Sequence, residues 1–274
     1  MTRTLQKVFA LLMAGVLTAL LAVPAFAVER EVVPEELPTD ILIYHDVDAT
    51  GSGKHIIYPK ALRTSKKKWP VITWANGSWC PTETYMGVIR RLAEAGYVVI
   101  SDTDVLTNDG VSTLDSVDYA IALNKKKGSP FYHKLDTNKI GSTGHSFGGQ
   151  DAVIAAGKSS RIQCIVSLAG KSVAKEARKV KVPALYIGGD LDAIVPINDY
   201  VLPSYEASQG PAVYVTRKHS GHFQCWITPD DYADYTALWF DAWLKGNTSA
   251  KKVFQKGGRL PKDTNYTDYS SKNL

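Results

Sequence analysis

Short apolar segments alternate with segments of helical periodicity along most of the chain. The apolar segments end in turns rich in Gly, Asn or Ser, a pattern that predicts strands. Predicted strands cover residues 41–47, 55–59, 71–75, 97–101, 139–144, 162–168, 184–187 and 213–216, and the first two form a hairpin around Gly51-Ser52-Gly53. Strands that alternate with helices indicate a mostly parallel central sheet flanked by helices on both faces.

Three helices are predicted between these strands, and a fourth follows the last strand. Gly96 ends the first of them. The apolar positions at helical spacing are Tyr85, Val88, Ile89, Leu92 and Ala93, then Leu114, Val117, Ala120 and Ile121, then Ala152, Ala155 and Ala156, and finally Tyr232, Tyr235, Leu238, Trp239, Ala242 and Trp243. We interpret the last, aromatic stripe as core, because helices pack on sheets through such stripes.

The first 27 residues have the composition of an export signal. Arg3 and Lys7 lead into an uncharged apolar run over residues 8–23, which Pro24 and the sequence Ala25-Phe26-Ala27 follow. Small residues at this place are typical of signal peptidase cleavage, here before Val28. A membrane anchor is the alternative, although the run is short for a bilayer span. We therefore predict an exported protein, secreted or periplasmic, without stable membrane insertion after cleavage.

The chain from Val28 onward has the length of one large domain with a substantial core. We predict a folded domain over residues 28–256 and a polar, loosely attached tail over residues 257–274. The formal net charge of the whole chain is +5, and it decreases further once Arg3 and Lys7 are removed. A charge this small does not indicate nucleic acid as a partner.

The segment Gly144-His145-Ser146-Phe147-Gly148 carries the strongest chemical signal. It has the Gly-x-Ser-x-Gly pattern of a nucleophile elbow and stands between a predicted strand and a predicted helix, as that elbow requires. The two glycines let strand and helix approach closely while the serine hydroxyl stays accessible. A glycine-rich turn with a helix-capping serine is the alternative. We interpret Ser146 as a nucleophile and predict an α/β-hydrolase fold.

A serine hydroxyl becomes a good nucleophile only when a neighbouring base takes its proton. In this fold the chain order is serine, acid, histidine. Both His219 and His222 follow the last predicted strand, and we prefer His222 because it lies beyond the flexible Gly221. The loop after the preceding strand offers two carboxylates. We choose Asp192 to orient the imidazole and expect Asp190 to bind backbone amides.

Attack on an ester carbonyl builds negative charge on its oxygen, and backbone amides must stabilise that charge. One donor is expected to be the amide of Phe147, directly after the nucleophile. The second is expected in the loop after strand 71–75, which reads Asn76-Gly77-Ser78-Trp79. We assign it to the amide of Ser78, with the amide of Trp79 as the alternative.

Several stretches resemble the bacterial cutinase and polyester hydrolase family, which is related to dienelactone hydrolases. They are residues 182–196, residues 144–149, the sequence Gly221-His222-Phe223, and residues 99–104. The likeness extends from about Pro70 to the last predicted helix. It implies an α/β-hydrolase fold, carboxylesterase activity and no cofactor. It also supports Asp192 and His222 in the roles given above.

The sequence departs from that family at two positions. Ser78 stands where the family has an aromatic residue after the oxyanion-loop glycine, and Lys171 stands where it has a substrate-clamping tryptophan. Two aromatic surfaces for an aromatic polyester are therefore missing. Trp79 and Trp226 lie in neighbouring loops and are candidate substrate-binding residues, with packing inside those loops as the alternative.

Three cysteines follow the predicted signal, and an exported protein meets an oxidising compartment. Cys164 lies in an apolar predicted strand and is expected to be buried. Cys80 follows the oxyanion loop and Cys225 comes shortly after His222, so a disulfide between them would join these loops. Two unpaired thiols are the alternative, because sequence does not give their separation. No Cys-x-x-Cys spacing occurs in the sequence, and no metal site is predicted.

These motifs together predict a secreted serine carboxylic-ester hydrolase of the cutinase or polyesterase type, which works through an acyl-enzyme intermediate. A small-molecule esterase of the dienelactone-hydrolase or deacetylase type is the nearest alternative, because it uses the same machinery. A catalytically inert hydrolase fold that serves as a binding module is a further alternative, which an intact serine, acid and histidine disfavour. We expect a monomer whose partner is a small or polymeric ester.

Overall fold

The structure, a computed structural model, describes residues 40–274 and the backbone of the short strand Glu35–Glu36. The predicted export signal over residues 1–27 lies outside the described residues, as does the start of the predicted domain at Val28. None of the helices that the structure describes is long and apolar enough to cross a membrane.

One mixed sheet forms the centre of the described residues, and its strands are arranged in the order β1-β2-β3-β5-β4-β6-β7-β8-β9-β10. The six strands β4 to β9 pair in parallel, whereas β1 to β3 and β10 extend the two sides of the sheet by antiparallel pairing. The strands are β1 Glu35–Glu36, β2 Ile41–Val47, β3 Gly53–Pro59, β4 Trp69–Ala75, β5 Val98–Asp102, β6 Leu135–His145, β7 Ile162–Leu168, β8 Ala184–Gly189, β9 Ala212–Arg217 and β10 Tyr266–Lys272.

Helices cover both faces of this sheet. Those described are α1 Met86–Glu94, α2 Val111–Lys125, α3 Phe147–Lys158, α4 Ala174–Ala177, α5 Leu202–Ala207, α6 Gln224–Ile227, α7 Pro229–Leu244 and α8 Thr248–Val253. The aromatic stripe predicted as core lies on α7, where Tyr232, Tyr235 and Trp239 are all buried.

Two hydrophobic cores lie on opposite sides of the sheet, because neighbouring strand residues point to opposite faces. On β4, Ile72 joins the core that Val88 of α1 and Trp239 of α7 complete. The adjacent Val71 joins the core formed with Val117 of α2. The predicted α/β-hydrolase fold, with a mostly parallel sheet between two helical layers, is confirmed.

The segment predicted as a loosely attached tail, residues 257–274, instead contains the last strand of the sheet. Strand β10 pairs antiparallel with β9, with a bulge between Thr267 and Ser270. The Lys272 ammonium donates to the main-chain oxygens of Tyr205 and Ser208, both at 2.6 Å. The prediction was wrong because an edge strand is held by backbone hydrogen bonds and needs no apolar period. Helix α8 was also missed.

The topology brings the predicted site residues to one edge of the sheet. Strands β6, β8 and β9 run parallel and lie within four consecutive positions of the sheet, so their carboxyl ends are close together. Ser146 follows β6 directly, Asp192 follows β8, and His222 follows β9. Carboxyl ends of parallel strands are the common location of sites in open α/β sheets.

Candidate active site

Ser146 lies at the tip of a sharp turn from β6 into α3. Its φ of 58° and ψ of −121° place a non-glycine residue at positive φ, where the side chain is strained against the backbone. The residue is buried apart from 8% of its surface. The positive φ at a strand-to-helix turn agrees with the strained backbone that the Gly-x-Ser-x-Gly pattern predicts, whereas the serine is more buried than the accessible hydroxyl that was expected.

The glycines around Ser146 allow three segments to approach one another. A Cβ atom added to Gly148 would come within 3.0 Å of the carbonyl oxygens of Ala75 and Asn76. One added to Gly144 would come equally close to Ala75 and to Gly148. The start of α3 is therefore seated directly against the loop after β4, which carries the second candidate oxyanion donor.

The hydroxyl of Ser146, the imidazole of His222 and the carboxylate of Asp192 form a hydrogen-bonded row. Ser146 Oγ lies 2.9 Å from His222 Nε2, and His222 Nδ1 lies 2.7 Å from Asp192 Oδ2. His222 and Asp192 are 7% and 6% exposed. The carboxylate can only accept, so Nδ1 carries the proton and Nε2 accepts from the serine hydroxyl.

The alternative acid and base lie elsewhere. Asp190 is exposed, and its Oδ1 accepts the amide of Ser220 at 3.0 Å, which holds the start of the loop that carries His222. His219 is also exposed and adopts a positive φ of 53°. The row of three described above contains neither residue.

Two amides of the loop after β4 have protein acceptors. The amide of Gly77 donates to Tyr85 Oη at 3.0 Å, and that of Trp79 donates to the carbonyl of Val105 at 2.8 Å. Within the described part of the chain, the amides of Ser78 and Phe147 have no hydrogen-bond acceptor. This pattern favours Ser78 over the alternative, Trp79, as a donor to a bound oxyanion.

The two candidate substrate-binding tryptophans have different surroundings. The side chain of Trp79, in the loop after β4, is 56% exposed. Trp226 is partly buried, with ring centroids 4.6 Å from Phe223, 5.8 Å from Tyr85 and 6.0 Å from His145. The placement of Trp226 favours the alternative of packing within its loop.

Lys171 lies against the turn that carries Ser146. Its amide donates to the carbonyl oxygen of Ser146 at 3.1 Å. Its ammonium lies 5.0 Å from the ring centroid of Phe147 and 5.7 Å from that of Tyr200. A cation therefore lies beside the residue that follows Ser146.

The disulfide between Cys80 and Cys225 is not formed in the structure, where both are buried free thiols, as is Cys164. Burial raises the pKa of the Cys80 and Cys225 thiols, so both remain protonated at neutral pH. The disulfide prediction was therefore wrong, and hydrophobic packing takes its place: both residues belong to the core around Tyr85. Among the described residues, no cluster of three or more metal-ligating side chains occurs.

His145 and Tyr85, for which the sequence predicted no role in the site, both contact it. His145 Nε2 lies 2.8 Å from the carbonyl oxygen of His222, and His145 Nδ1 lies 3.2 Å from Tyr85 Oη. Tyr85 was interpreted only as an apolar helix position, whereas it precedes α1 and points its hydroxyl at the site. A histidine directly before the candidate nucleophile was the one signal in the sequence.

Comparison with known proteins gives a consistent result over most of the chain. A family described as PET hydrolase-like matches residues 41–270. A cutinase, est1 of Thermobifida alba, is 24% identical over 228 residues, which cover 82% of this chain and 75% of the relative.

Two further relatives match shorter stretches. A bis(hydroxyethyl) terephthalate hydrolase of Streptomyces coelicolor is 26% identical over 203 residues, 72% of this chain and 63% of the relative. Cutinase 1 of Thermobifida cellulosilytica is 27% identical over 180 residues, 62% of this chain and 66% of the relative. The matched stretch thus covers slightly less than two thirds of these two relatives.

Proposed function

This chain belongs to the PET hydrolase-like family, and from that premise we propose that it is an exported serine carboxylesterase of the cutinase type. Ser146 is the nucleophile, His222 the base and Asp192 the acid that orients it. The observation that carries the proposal is the hydrogen-bonded row in which Ser146 Oγ lies 2.9 Å from His222 Nε2 and His222 Nδ1 lies 2.7 Å from Asp192.

Hydrolysis follows two steps at this row. In the first, the Ser146 hydroxyl proton moves to His222 Nε2 while Oγ bonds to the ester carbonyl carbon. The imidazolium then protonates the departing alkoxide, which leaves as the alcohol. In the second, water attacks the acyl-enzyme and loses its proton to His222, and the acid is released as Ser146 recovers its proton. Asp192 holds the imidazole in the required tautomer throughout.

The negative charge of each tetrahedral intermediate needs donors that are already in place. The free amides of Phe147 and Ser78 provide two, on opposite sides of the close contact between α3 and the loop after β4. Phe147 also stands at the first position of α3, so the helix dipole favours negative charge there. One such donor is worth about 3 kcal/mol of barrier.

An apolar rim around the site favours a large, water-insoluble ester over a small soluble one. We use the name apolar rim for the large hydrophobic residues of the described chain that are exposed: Val47, Trp79, Leu106, Val111, Val173, Leu191 and Ile227. Val47 is the last residue of β2, and the other six lie in segments that follow the carboxyl ends of β4, β5, β7, β8 and β9, on the edge of the sheet that carries Ser146. Exposed apolar residues gathered on one edge mark an interaction surface, here one suited to a polyester.

Lys171 supports a second candidate, a small-molecule esterase of the dienelactone-hydrolase or deacetylase type. An ammonium close to Phe147 offers a charged contact to a soluble substrate rather than an apolar surface to a polymer. Both candidates use the same nucleophile, base and acid, so only the substrate distinguishes them.

An ester panel with wild type and Ser146→Ala tests the proposal, with Ser160→Ala as an exposed matched control. Wild type and Ser160→Ala are expected to hydrolyse p-nitrophenyl butyrate and polyester film and to be labelled by a fluorophosphonate. Ser146→Ala is expected to lose labelling and at least about 10³-fold of turnover.

The outcomes separate the alternatives. If wild type hydrolyses soluble esters but leaves polyester film intact, the result favours the small-molecule esterase. Wild type that binds film but is neither labelled nor active is a binding module, and the proposal is then wrong. Export is tested separately: the mature protein recovered outside the cytoplasm is expected to begin at Val28.

A further inference from the structure

Two fully buried polar side chains, His145 and Tyr85, connect the loops that carry the proposed base and the proposed oxyanion donor. Each is 1% exposed. His145 Nε2 lies 2.8 Å from the carbonyl oxygen of His222, and its Nδ1 lies 3.2 Å from Tyr85 Oη. Tyr85 Oη in turn lies 3.0 Å from the amide nitrogen of Gly77, the residue before Ser78.

Each proton in this chain of contacts can be assigned from the chemistry of its end groups. The His222 carbonyl only accepts, so His145 Nε2 carries the proton and donates to it. A neutral imidazole with its proton on Nε2 accepts at Nδ1, so the Tyr85 hydroxyl donates there. The Tyr85 oxygen is then free to accept the amide of Gly77. One tautomer and one hydroxyl orientation satisfy all three contacts.

Burial keeps these groups in that protonation state. Burial, and then the neighbouring His222, lower the pKa of the His145 imidazole well below its usual range. Burial also raises the pKa of the Tyr85 hydroxyl. His145 is thus neutral and Tyr85 protonated over the pH range in which a histidine base works.

The neighbouring rings leave this pair little freedom to move. The His145 ring lies 4.6 Å from that of His222, and the Tyr85 ring lies 5.1 Å from that of Trp74. Trp226 packs on both members of the pair, 6.0 Å from His145 and 5.8 Å from Tyr85. A Cβ atom on Gly77 would come within 3.0 Å of the Tyr85 hydroxyl, so this loop lies directly on it.

We propose that His145 and Tyr85 are positioning residues, a rigid hydrogen-bonded strut that fixes the main chain of His222 relative to the main chain of the oxyanion loop. This inference rests on the proposed function, because the strut would set the spacing between the base and the oxyanion donor of the proposed esterase. Neither side chain touches the substrate. The strut acts on the chemical step, since base and donor must be held in place when charge develops on the carbonyl oxygen.

Tyr85→Phe removes the hydroxyl and leaves the ring, so it tests the strut with little loss of packing. Without the hydroxyl, His145 loses its donor at Nδ1 and the Gly77 amide loses its acceptor. We expect kcat to decrease at least about tenfold with KM nearly unchanged. The decrease should be equal for p-nitrophenyl acetate and p-nitrophenyl butyrate, because the defect lies in the reacting groups and not in acyl binding.

Tyr186→Phe is the matched control. Tyr186 is an equally buried tyrosine on β8, whose hydroxyl contacts only Ser208 Oγ, at 2.6 Å, among the described side chains. It belongs to the core on the other side of the sheet. Tyr186→Phe also removes a buried hydroxyl, so it lowers stability in the same way as Tyr85→Phe. Because it leaves the contacts of His145 and Tyr85 in place, its kcat below the unfolding temperature should stay within twofold of wild type.

Nitrogen-15 spectra of the full chain supply a readout that does not depend on turnover. His145 is expected to carry its proton on Nε2 in wild type and in Tyr186→Phe.

His145→Gln offers an amide donor to the His222 carbonyl and an oxygen acceptor to Tyr85, so it should retain more kcat than His145→Leu, which offers neither.

Three results would overturn the strut. They are a His145 proton on Nδ1 in wild type, a Tyr85→Phe kcat within twofold of that of Tyr186→Phe, and equal kcat for His145→Gln and His145→Leu. A wild-type enzyme without esterase activity would contradict the proposed function instead, and the spectra would still report on the tautomer.

Discussion

The carboxylate of Asp192 contacts the imidazole of His222 through one oxygen and the backbone of its own loop through the other. Oδ2 accepts from His222 Nδ1 at 2.7 Å, while Oδ1 accepts the amides of Ile194 and Val195 at 2.9 and 2.8 Å. These two amides hold the carboxylate in one orientation relative to the imidazole. His222 is therefore held in a single tautomer with Nε2 facing the Ser146 hydroxyl.

Asp192→Asn tests whether activity requires that tautomer. An asparagine that keeps the two loop amides on its oxygen presents an NH₂ group to Nδ1, which drives the imidazole proton to Nε2. We expect kcat for p-nitrophenyl butyrate to decrease by about 10⁴, with little change in KM. In the matched control Asp190→Asn the side-chain oxygen still accepts the Ser220 amide, so kcat should decrease less than about tenfold. A larger loss in the control than in Asp192→Asn would assign the orienting role to Asp190.

The apolar rim should act on polymer substrates alone. Leu106→Ser with Ile227→Ser removes two side chains that are 54% and 70% exposed. Each change removes apolar contact worth about 1 kcal/mol to a hydrophobic surface, so the two together should weaken adsorption to polyester film about thirtyfold. Film hydrolysis should decrease in parallel, and kcat/KM for p-nitrophenyl butyrate should stay within twofold.

Lys126→Ser with Lys127→Ser is the control for the rim, because these exposed residues lie between α2 and β6, at the opposite edge of the sheet. Adsorption measured by depletion from solution should match wild type. An equal loss of adsorption in both double variants would show that the rim is not the docking surface.

Lys171 should favour substrates with a negatively charged acyl group. Its ammonium lies 5.0 Å from the ring of Phe147, close to the proposed oxyanion donor. A partly exposed charge pair contributes about 1 kcal/mol, so Lys171→Gln should reduce kcat/KM about fivefold for p-nitrophenyl hemisuccinate. The neutral p-nitrophenyl butyrate should be hydrolysed as by wild type, and added salt should shrink the difference. Equal losses on both esters would contradict a charge contact.

The free energy of unfolding should decrease as the pH is lowered through about 6.5, in part because of His145. Burial lowers the pKa of His145 well below the usual range of an imidazole, whereas in the unfolded chain the imidazole titrates normally. Below that pH the unfolded state therefore binds a proton that the folded state does not. Each such histidine contributes up to about 1.4 kcal/mol per pH unit.

Urea unfolding between about pH 7.5 and about pH 5.5 measures this slope. His145→Gln should flatten it, since glutamine does not titrate. His55, whose pKa burial also lowers, keeps part of the slope in that variant. An unchanged slope would mean that His145 binds a proton in the folded state.

Residues that are close in the chain made much of the fold predictable. The alternation of apolar runs indicated the parallel strands, and the stripe with Trp239 indicated the helix that packs on them. The strand, turn and helix around Ser146 were likewise evident, because the glycines that permit the turn are its neighbours. The start of one strand was predicted less accurately: β6 begins at Leu135, four residues before the predicted start at Lys139. Polar residues at the beginning of that strand hide it.

The sequence by itself determined the fold class, the nucleophile turn and the order of hydroxyl, carboxylate and imidazole along the chain, since each depends on local spacing or on a fixed chain order. Only the tertiary structure decided that the amide of Ser78, and not that of Trp79, lacks an acceptor, that Cys80 and Cys225 are free thiols, and that β10 completes the sheet. It alone joined Tyr85 to His145, 60 positions apart in the chain. The physical reason is that these are contacts between segments distant in sequence, and their distances are set by how loops pack on the sheet edge and not by any local preference.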